Sequence, residues 1–571
     1  MSMKKVSLFL FALTIIFLVI PPAQAADYAS LKNEYIMNHP GQAIIPFPWD
    51  PITSTQVLPF NYEIPAAPGN TFSMTACRNE FEPASFIINA QKDLSGITIT
   101  VPNLYDTQGN SIPSSAIDVR LVKVWYQASQ NSIAYTTPGY YLTPELLLKD
   151  DTLVKVDYVT KTNYLKVTLN GVEQYIDISS PTATVPQTAQ VRDATTLQPF
   201  SLKAHENKQI WITVRVPSTA LPGNYSGNIL INAPSETPVT MNVSVTVLPF
   251  DLEPAPVDYG LYYIADLNPS VIGLSTDKTA ANMLIELQDM KDHGVLYPTF
   301  YQHNYTLIES TLTLRDMVGF PKDKNYTLGD GLNKIGNAND TLGLATIADK
   351  VVHIRSQTEA HGYTDTYFYG IDEAKGDILL SQRQAWQTVH DNGGKIYASG
   401  HGYELLKMVD ILDTSVVAYA LNATQAGLFH NYGHKILSYG NPQVGIENPE
   451  IYRKNYGVAL WNAGYDGTMD FAYQFAFGDI WNDYDSQTSQ YRDHVFAYPT
   501  SNGVIDTIQW EGFREGVDDT RYVASLIKKE GDATSVKTIV SEGLANNENM
   551  TTIRKKVIER ILPSQINLDR F

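Results

Sequence analysis

From residue 26 to about residue 256, apolar positions recur at every second place. Ile210, Ile212, Val214 and Val216 alternate with other residues, and so do Met241, Val243, Val245 and Val247. Period two marks a strand with one buried face, because successive side chains leave opposite faces. The pattern predicts short strands over 81–88, 97–101, 118–126, 164–169, 209–216, 227–231 and 239–247, with turn signals such as Pro222-Gly223-Asn224 between them. Many short strands punctuated by turns predict an all-β sandwich. The run from Pro249 to Pro256 is proline-rich and therefore stiff, which places the domain boundary there.

After Val257 the grammar changes. Strand-like runs at 259–265, 295–302, 363–372, 395–399, 416–421, 435–439, 467–474 and 504–510 are interleaved with helical periods at 279–293, 346–360 and 378–390. Repeated strand–helix units over residues 257–571 predict a (β/α)8 TIM barrel. A doubly wound sheet is the alternative, but no phosphate-cradling glycine pattern follows the first strand. The chain is thus expected to be multidomain, with a β-sandwich at 26–256 and a barrel at 257–571.

Residues 1–25 have a different character. Lys4 and Lys5 precede an apolar run over 6–20, and Ala23-Gln24-Ala25 forms a cleavage site, so a signal peptide is expected. No other apolar run is long enough to span a bilayer. The expected location is the periplasm or the outside of a bacterial cell. Cys77 is the only cysteine, so no intrachain disulfide can form. The formal net charge of −19 argues against nucleic-acid or anionic-membrane partners. The 35 tyrosines suit sugar rings, although β-sheets also use Tyr freely.

Chemistry concentrates in Tyr363 to Asp377, where a Thr-, Tyr- and Phe-rich strand ends at Gly370 and two carboxylates follow, Asp372 and Glu373. Neighbouring side chains in a regular strand point apart, so the pair can share a ligand only if the chain leaves strand geometry there. Paired carboxylates suit glycoside hydrolysis, one protonated to meet the leaving oxygen and the other charged. Adjacency favours a substrate-assisted reaction, in which the sugar's own 2-acetamido oxygen attacks. The competing reading is an acidic helix cap.

Several stretches together resemble glycoside hydrolase family 123. They are Arg78-Asn79-Glu80-Phe81-Glu82-Pro83-Ala84-Ser85-Phe86, Pro222-Gly223-Asn224-Tyr225-Ser226-Gly227, the acidic pair, Asp466-Gly467 with Phe471-Ala472-Tyr473, and Glu511 to Tyr522. The resemblance implies a sandwich packed on a catalytic barrel and a retaining β-N-acetylgalactosaminidase type of reaction. No metal or cofactor is expected, because the sequence holds no convincing ligand cluster and the reaction runs on carboxylates and the substrate. Carried across, Asp372 holds the acetamido N–H and Glu373 is the acid, then the base. The chain departs from the family pattern at Ala374-Lys375, where a proline is expected.

Tyr301, Tyr369, Trp461 and Tyr473 stand near expected strand ends and are candidate sugar contacts, with His401 between two glycines. Tyr397 and Trp510 stand at strand ends too, and for all of these but Tyr473 the competing reading is a place in the core or behind the site. His430 and His434 have zinc-like spacing but no third ligand. The charges at Glu511, Arg514, Glu515, Asp518, Asp519 and Arg521 are spaced for ion pairs on a helix surface. A glycan is the expected partner. Two other readings stay open: a glycosidase of this architecture with a non-acetamido substrate, and a non-catalytic carbohydrate-binding surface protein.

Overall fold

The computed structural model describes residues 27–129, 139–271, 276–329, 332, 335–445, 447–485 and 492–562. The expected signal peptide lies outside these. In the N-terminal half, a five-stranded sheet runs in the order Ile44–Trp49, Phe81–Ala90, Asn207–Arg215, Ile117–Ser129, Gly139–Leu148. A seven-stranded sheet contains Leu94–Thr100, Gly223–Asn232, Val239–Val247 and Thr71–Ala76. The alternating apolar residues of both sheets meet in one core, Phe86, Ile88, Ile210, Ile212 and Val214 from the first against Ile229, Ile231, Met241, Val243 and Val245 from the second. The strand Gly223–Asn232 begins inside the expected turn, where the Tyr225 hydroxyl accepts from Leu221 N–H and donates to Leu221 C=O.

Eight parallel strands then form a nearly closed barrel: β1 Asp258–Leu261, β2 Tyr297–Pro298, β3 Lys324–Thr327, β4 Asp365–Tyr369, β5 Lys395–Gly400, β6 Thr414–Ala418, β7 Lys435–Tyr439 and β8 Gly467–Asp470. The seam between β2 and β3 is bridged by Phe300 and Thr327. β3 is the strand the sequence reading lacks. It has four residues, Lys-Asn-Tyr-Thr, too short to show alternation. Conversely, the expected strand at 504–510 is not part of the barrel. Residues Gly503–Asp506 pair antiparallel with Ala497–Thr500, and a helix begins at Ile508.

That helix, Ile508–Glu530, joins the two halves. The expected ion pairs form along it, Arg514 with Glu511 and Arg521 with Asp518, but not on a solvent face: Glu511, Arg514, Glu515, Asp518 and Asp519 are all buried, and Arg521 is half-buried. Gly512 and Gly516 explain part of this. A Cβ at Gly512 would meet Pro449 O at 2.2 Å, and one at Gly516 would meet Arg453 O at 2.8 Å, so the glycines let the helix Pro449–Tyr456 approach closely. Arg453 of that helix then grips Asp519 with two N–H groups, at 2.8 and 3.1 Å. Arg554, on the helix Met550–Ile561, also binds Asp519 and reaches Glu515 at 2.9 Å and Glu82 at 3.2 Å. Glu80 accepts from Cys77 N–H at 2.6 Å and from the Tyr522 hydroxyl at 2.8 Å. The stretch around Glu80 and the helix around Asp519, distant in sequence, are thus one structure.

A second ionic cluster lies beside it. His293 stacks on Trp510 at 4.3 Å and sits between Asp289 and Glu511, while Arg120 pairs with Asp506 at 2.9 Å. Burial alone would push the His293 imidazolium down, but Asp289 and then Glu511 outweigh it and lift it to about 10.

Two predictions come from this junction. Removing one partner from a buried charge network strands the others, so Arg554→Ala should cost about 3–5 kcal/mol. Exposed Lys537→Ala should stay within about 0.5 kcal/mol, both read by urea denaturation. Because His293 holds its proton more tightly when folded, its stabilisation is complete below about pH 6.5, the unfolded value. It is lost as pH rises toward about 10. The thermal midpoint should fall across that window, and His293→Gln should flatten the fall.

Candidate functional site

The mouth formed by the C-terminal ends of the barrel strands holds a cleft of about 310 Å3. Tyr262 and Ile264 reach it after β1, Tyr301 and His303 after β2, and Leu328 and Gly329 after β3. A side chain at Gly329 would meet the Tyr301–Gln302 backbone at 2.8–3.1 Å, so only glycine lets the strands close beside the seam. β4 supplies Tyr369 and, just beyond its end, Asp372 and Glu373. Ser399, Tyr439, Gln443 and Phe471 complete the wall.

The acidic pair reaches one cleft because Glu373 takes a left-handed conformation, with φ of 45°. That breaks the strand alternation that would have sent the two side chains apart. Both carboxylates are exposed to the cleft. Asp372 Oδ1 accepts from the Tyr369 hydroxyl at 2.6 Å and from Ser399 Oγ at 2.7 Å. The Tyr262 hydroxyl donates to that of Tyr369 at 3.4 Å, extending the chain into the barrel core. Burial, followed by Tyr262 and Asp372, holds Tyr369 well above the usual phenol range, so it stays protonated and donates. Glu373 Oε1 accepts from the Tyr439 hydroxyl, whose proton burial and Glu373 itself likewise retain. Each carboxylate therefore has its own phenol, and the pair is held in two distinct settings.

Of the expected contacts, Tyr301 and Tyr369 line the cleft. His401 follows β5 on the same barrel face, beside Tyr419 with ring centres 5.4 Å apart, but outside the lining. Trp461 does not belong to the site. It lies in the outer helix Val458–Asn462, several residues before β8 begins, and packs toward the C-terminal helices. Tyr473 is also displaced. Its N–H bonds Tyr262 O at 3.0 Å, but the ring is fully buried behind the mouth and its hydroxyl donates to Asp289 at 2.8 Å. Trp510 is buried there too, its indole N–H on Asp289 at 3.0 Å, and Tyr397 fills the barrel interior. The reading from sequence missed Tyr262, Ser399 and Tyr439. Ser399 and Tyr439 occupy the last expected positions of strands 395–399 and 435–439, where side chains meet a barrel mouth.

His430 pairs with Asp466 at 2.9 Å rather than with His434. Among the described residues, Asp289, His293 and Asp506 bring ligand-type atoms within 4.8 Å of one another. There the imidazole is engaged by two acids and Asp506 by Arg120, which describes an ionic joint rather than a ligand set. No helix among the described residues is long and apolar enough to cross a membrane.

Hydrogen bonds to a charged group contribute about 1.5–3 kcal/mol. Ser399→Ala should therefore lower kcat/KM on any substrate turned over in this cleft by roughly 10- to 100-fold, with little change in thermal midpoint. An unchanged kcat/KM would separate Asp372 from the reaction.

Residues 59–233 match the glycoside hydrolase 123 N-terminal domain. In fold, the chain is similar to a family 123 glycoside hydrolase from Clostridium perfringens, described for glycolipid glycan hydrolysis. The TM-score is 0.64 at 12% identity, over 90% of this chain and 98% of that one. A Bacteroides ovatus family 5 xyloglucanase aligns with TM-score 0.28 and 8% identity, over 79% of this chain and 98% of that one. A dihydrodipicolinate synthase from Agrobacterium tumefaciens aligns with TM-score 0.26 and 9% identity, over 54% and 98%. No curated protein matches the chain.

Proposed function

The chain resembles glycoside hydrolase family 123, and on that premise we propose that it is an exported glycosidase that cleaves a β-linked 2-acetamido sugar with retention, by substrate assistance. The observation that carries this reading is the left-handed turn at Glu373, which aims two adjacent carboxylates into one cleft. Adjacent carboxylates on a single turn suit side-by-side roles on one face of a sugar better than an acid and a nucleophile facing each other across the ring.

In this reading the substrate's acetamido oxygen attacks the anomeric carbon and the glycosidic bond breaks. Asp372, which accepts hydrogen bonds from Tyr369 and Ser399, takes the acetamido N–H and balances the positive charge of the oxazolinium-like intermediate. Glu373 passes its proton to the departing oxygen. It then takes a proton from the water that opens the intermediate, restoring the starting state. The Tyr439 hydroxyl holds one Glu373 oxygen and leaves the other for the proton. A 2-hydroxyl sugar lacks the internal nucleophile and should not be turned over by this route.

The roles separate by leaving group. Glu373→Gln removes the proton donor, so a nitrophenyl glycoside should lose much less rate than a natural glycan. Asp372→Asn should slow both alike, because attack by the acetamido oxygen is impaired whatever leaves. An oxazoline-mimicking thiazoline should bind the wild type and bind Asp372→Asn far more weakly. Equal turnover of 2-hydroxyl sugars, or a glycosyl group trapped on a carboxylate, would refute substrate assistance.

A further inference from the structure

The last residue of β8, Asp470, carries a fully buried carboxyl that the proposed reaction does not use. Its Oδ1 accepts from Gly440 N–H at 2.9 Å, while its Oδ2 has no hydrogen-bond partner. The neighbouring Tyr456 hydroxyl gives its proton to Pro442 O at 2.7 Å instead. A carboxyl so placed is costly, and burial pushes it up to about 7. An apolar side chain would suit such a place better, so the one hydrogen bond that Asp470 does receive calls for a reason.

The position of Gly440 supplies it. Gly440 directly follows Tyr439, the last residue of β7, whose hydroxyl donates to Glu373. The chain turns there, with Gly440 in a left-handed conformation at φ of 61°. On the β6 side, Tyr419 N–H holds Tyr439 O at 3.1 Å. On the β8 side, the parallel ladder ends with Ser438 opposite Thr468. Beyond that pair the Asp470 carboxyl takes over from the ladder and fixes the first residue after β7.

The backbone of Asp470 serves the other carboxylate. Its C=O accepts from Tyr262 N–H at 3.0 Å. The Tyr262 hydroxyl donates to that of Tyr369, which donates to Asp372. One residue therefore stands under both phenols, by its side chain on the Glu373 arm and by its main chain on the Asp372 arm. Changing the side chain loosens the first arm and leaves the second.

We propose that Asp470 is a positioning residue: through Gly440 N–H its carboxyl aims the Tyr439 hydroxyl at Glu373, and so prepares Glu373, but not Asp372, for its part in the reaction. The proposal rests on the glycosidase reading for the proton transfer that Glu373 then performs.

The test is whether removing the carboxyl produces a defect at Glu373 alone. Asp470→Ala removes the acceptor, Asp470→Val does so while filling more of the volume, and Asp470→Asn keeps a carbonyl oxygen for Gly440. The readout is kcat/KM for a methyl 2-acetamido β-glycoside, whose leaving group needs a proton, divided by that for the nitrophenyl glycoside of the same sugar, which needs little. In Asp470→Ala and Asp470→Val this ratio should fall about tenfold or more, with thiazoline affinity within about twofold of wild type. Asp470→Asn should restore the ratio. Tyr439→Phe should show the same fall, and adding Asp470→Ala to it should lower the ratio no further. Equal losses on both glycosides, thiazoline binding weakened in step, additive effects in the double variant, or an Asp470→Asn as impaired as Asp470→Ala would overturn the proposal. Failure of both Asp470→Ala and Asp470→Val to fold would make Asp470 structural and overturn it too. If the wild type cleaves no 2-acetamido glycoside, the glycosidase reading fails, and a crystal structure of Asp470→Ala decides the positioning role. The Tyr439 hydroxyl should then be off Glu373 while Tyr369 and Ser399 still bond Asp372; a Tyr439–Glu373 hydrogen bond left in place would refute it.

Discussion

Taking a charge out of water is tolerable only where the protein returns an opposite charge or a full set of hydrogen bonds. That constraint governs the joint between the two halves of this chain. Asp519 is gripped by Arg453 and Arg554, and Arg554 reaches on to Glu82 at the start of the strand Phe81–Ala90. None of these groups can move alone without stranding the rest. Glu80 shows how tight the balance is, since burial and then Asp518 push its carboxyl up to about 8. The arrangement sets the strand Phe81–Ala90, and the sheet it belongs to, against the C-terminal helices of the barrel half.

The same economy of polar groups operates inside the barrel. Branched aliphatics usually fill such an interior. Here Tyr262, Tyr326, Tyr367, Tyr369, Tyr397 and Tyr439 form much of it, with Val416, Leu437 and Met469. Their rings supply apolar volume, and three of their hydroxyls find acceptors. The Tyr397 hydroxyl finds Thr327 O at 3.0 Å, and those of Tyr369 and Tyr439 find the two carboxylates at the mouth. The site is in this sense the open end of the core.

Legibility followed the range of the determining forces. The strand 239–247 appears at its expected bounds, because one buried face imposes alternation locally. β3 left no such trace, since four residues enclosed on both faces need not alternate. Ion-pair spacing in the helix Ile508–Glu530 is the same whether the helix face meets water or protein. Gly512 and Gly516, four apart on that face, carry the mark of burial, and the reading from sequence did not use it. The acidic pair stands out in the sequence because its two carboxylates are adjacent. Ser399 and Tyr439 come from other strands, and only closure of the barrel brings them to it. Trp461 and Tyr473 were misplaced because nearness to a strand end says nothing about which way a ring points.

The tyrosine interior restricts how this barrel can change. In a barrel packed with Leu, Ile and Val, one aliphatic can replace another while the catalytic face is left alone. Here a Tyr→Phe exchange at 369 or 439 would preserve nearly all the packed volume yet withdraw a hydrogen bond from a carboxylate in the cleft. Homologues that retain the fold but drift at these interior positions would therefore drift in chemistry as well, and the inward-facing residues of β4 and β7 become the places to look when related chains are sorted by activity.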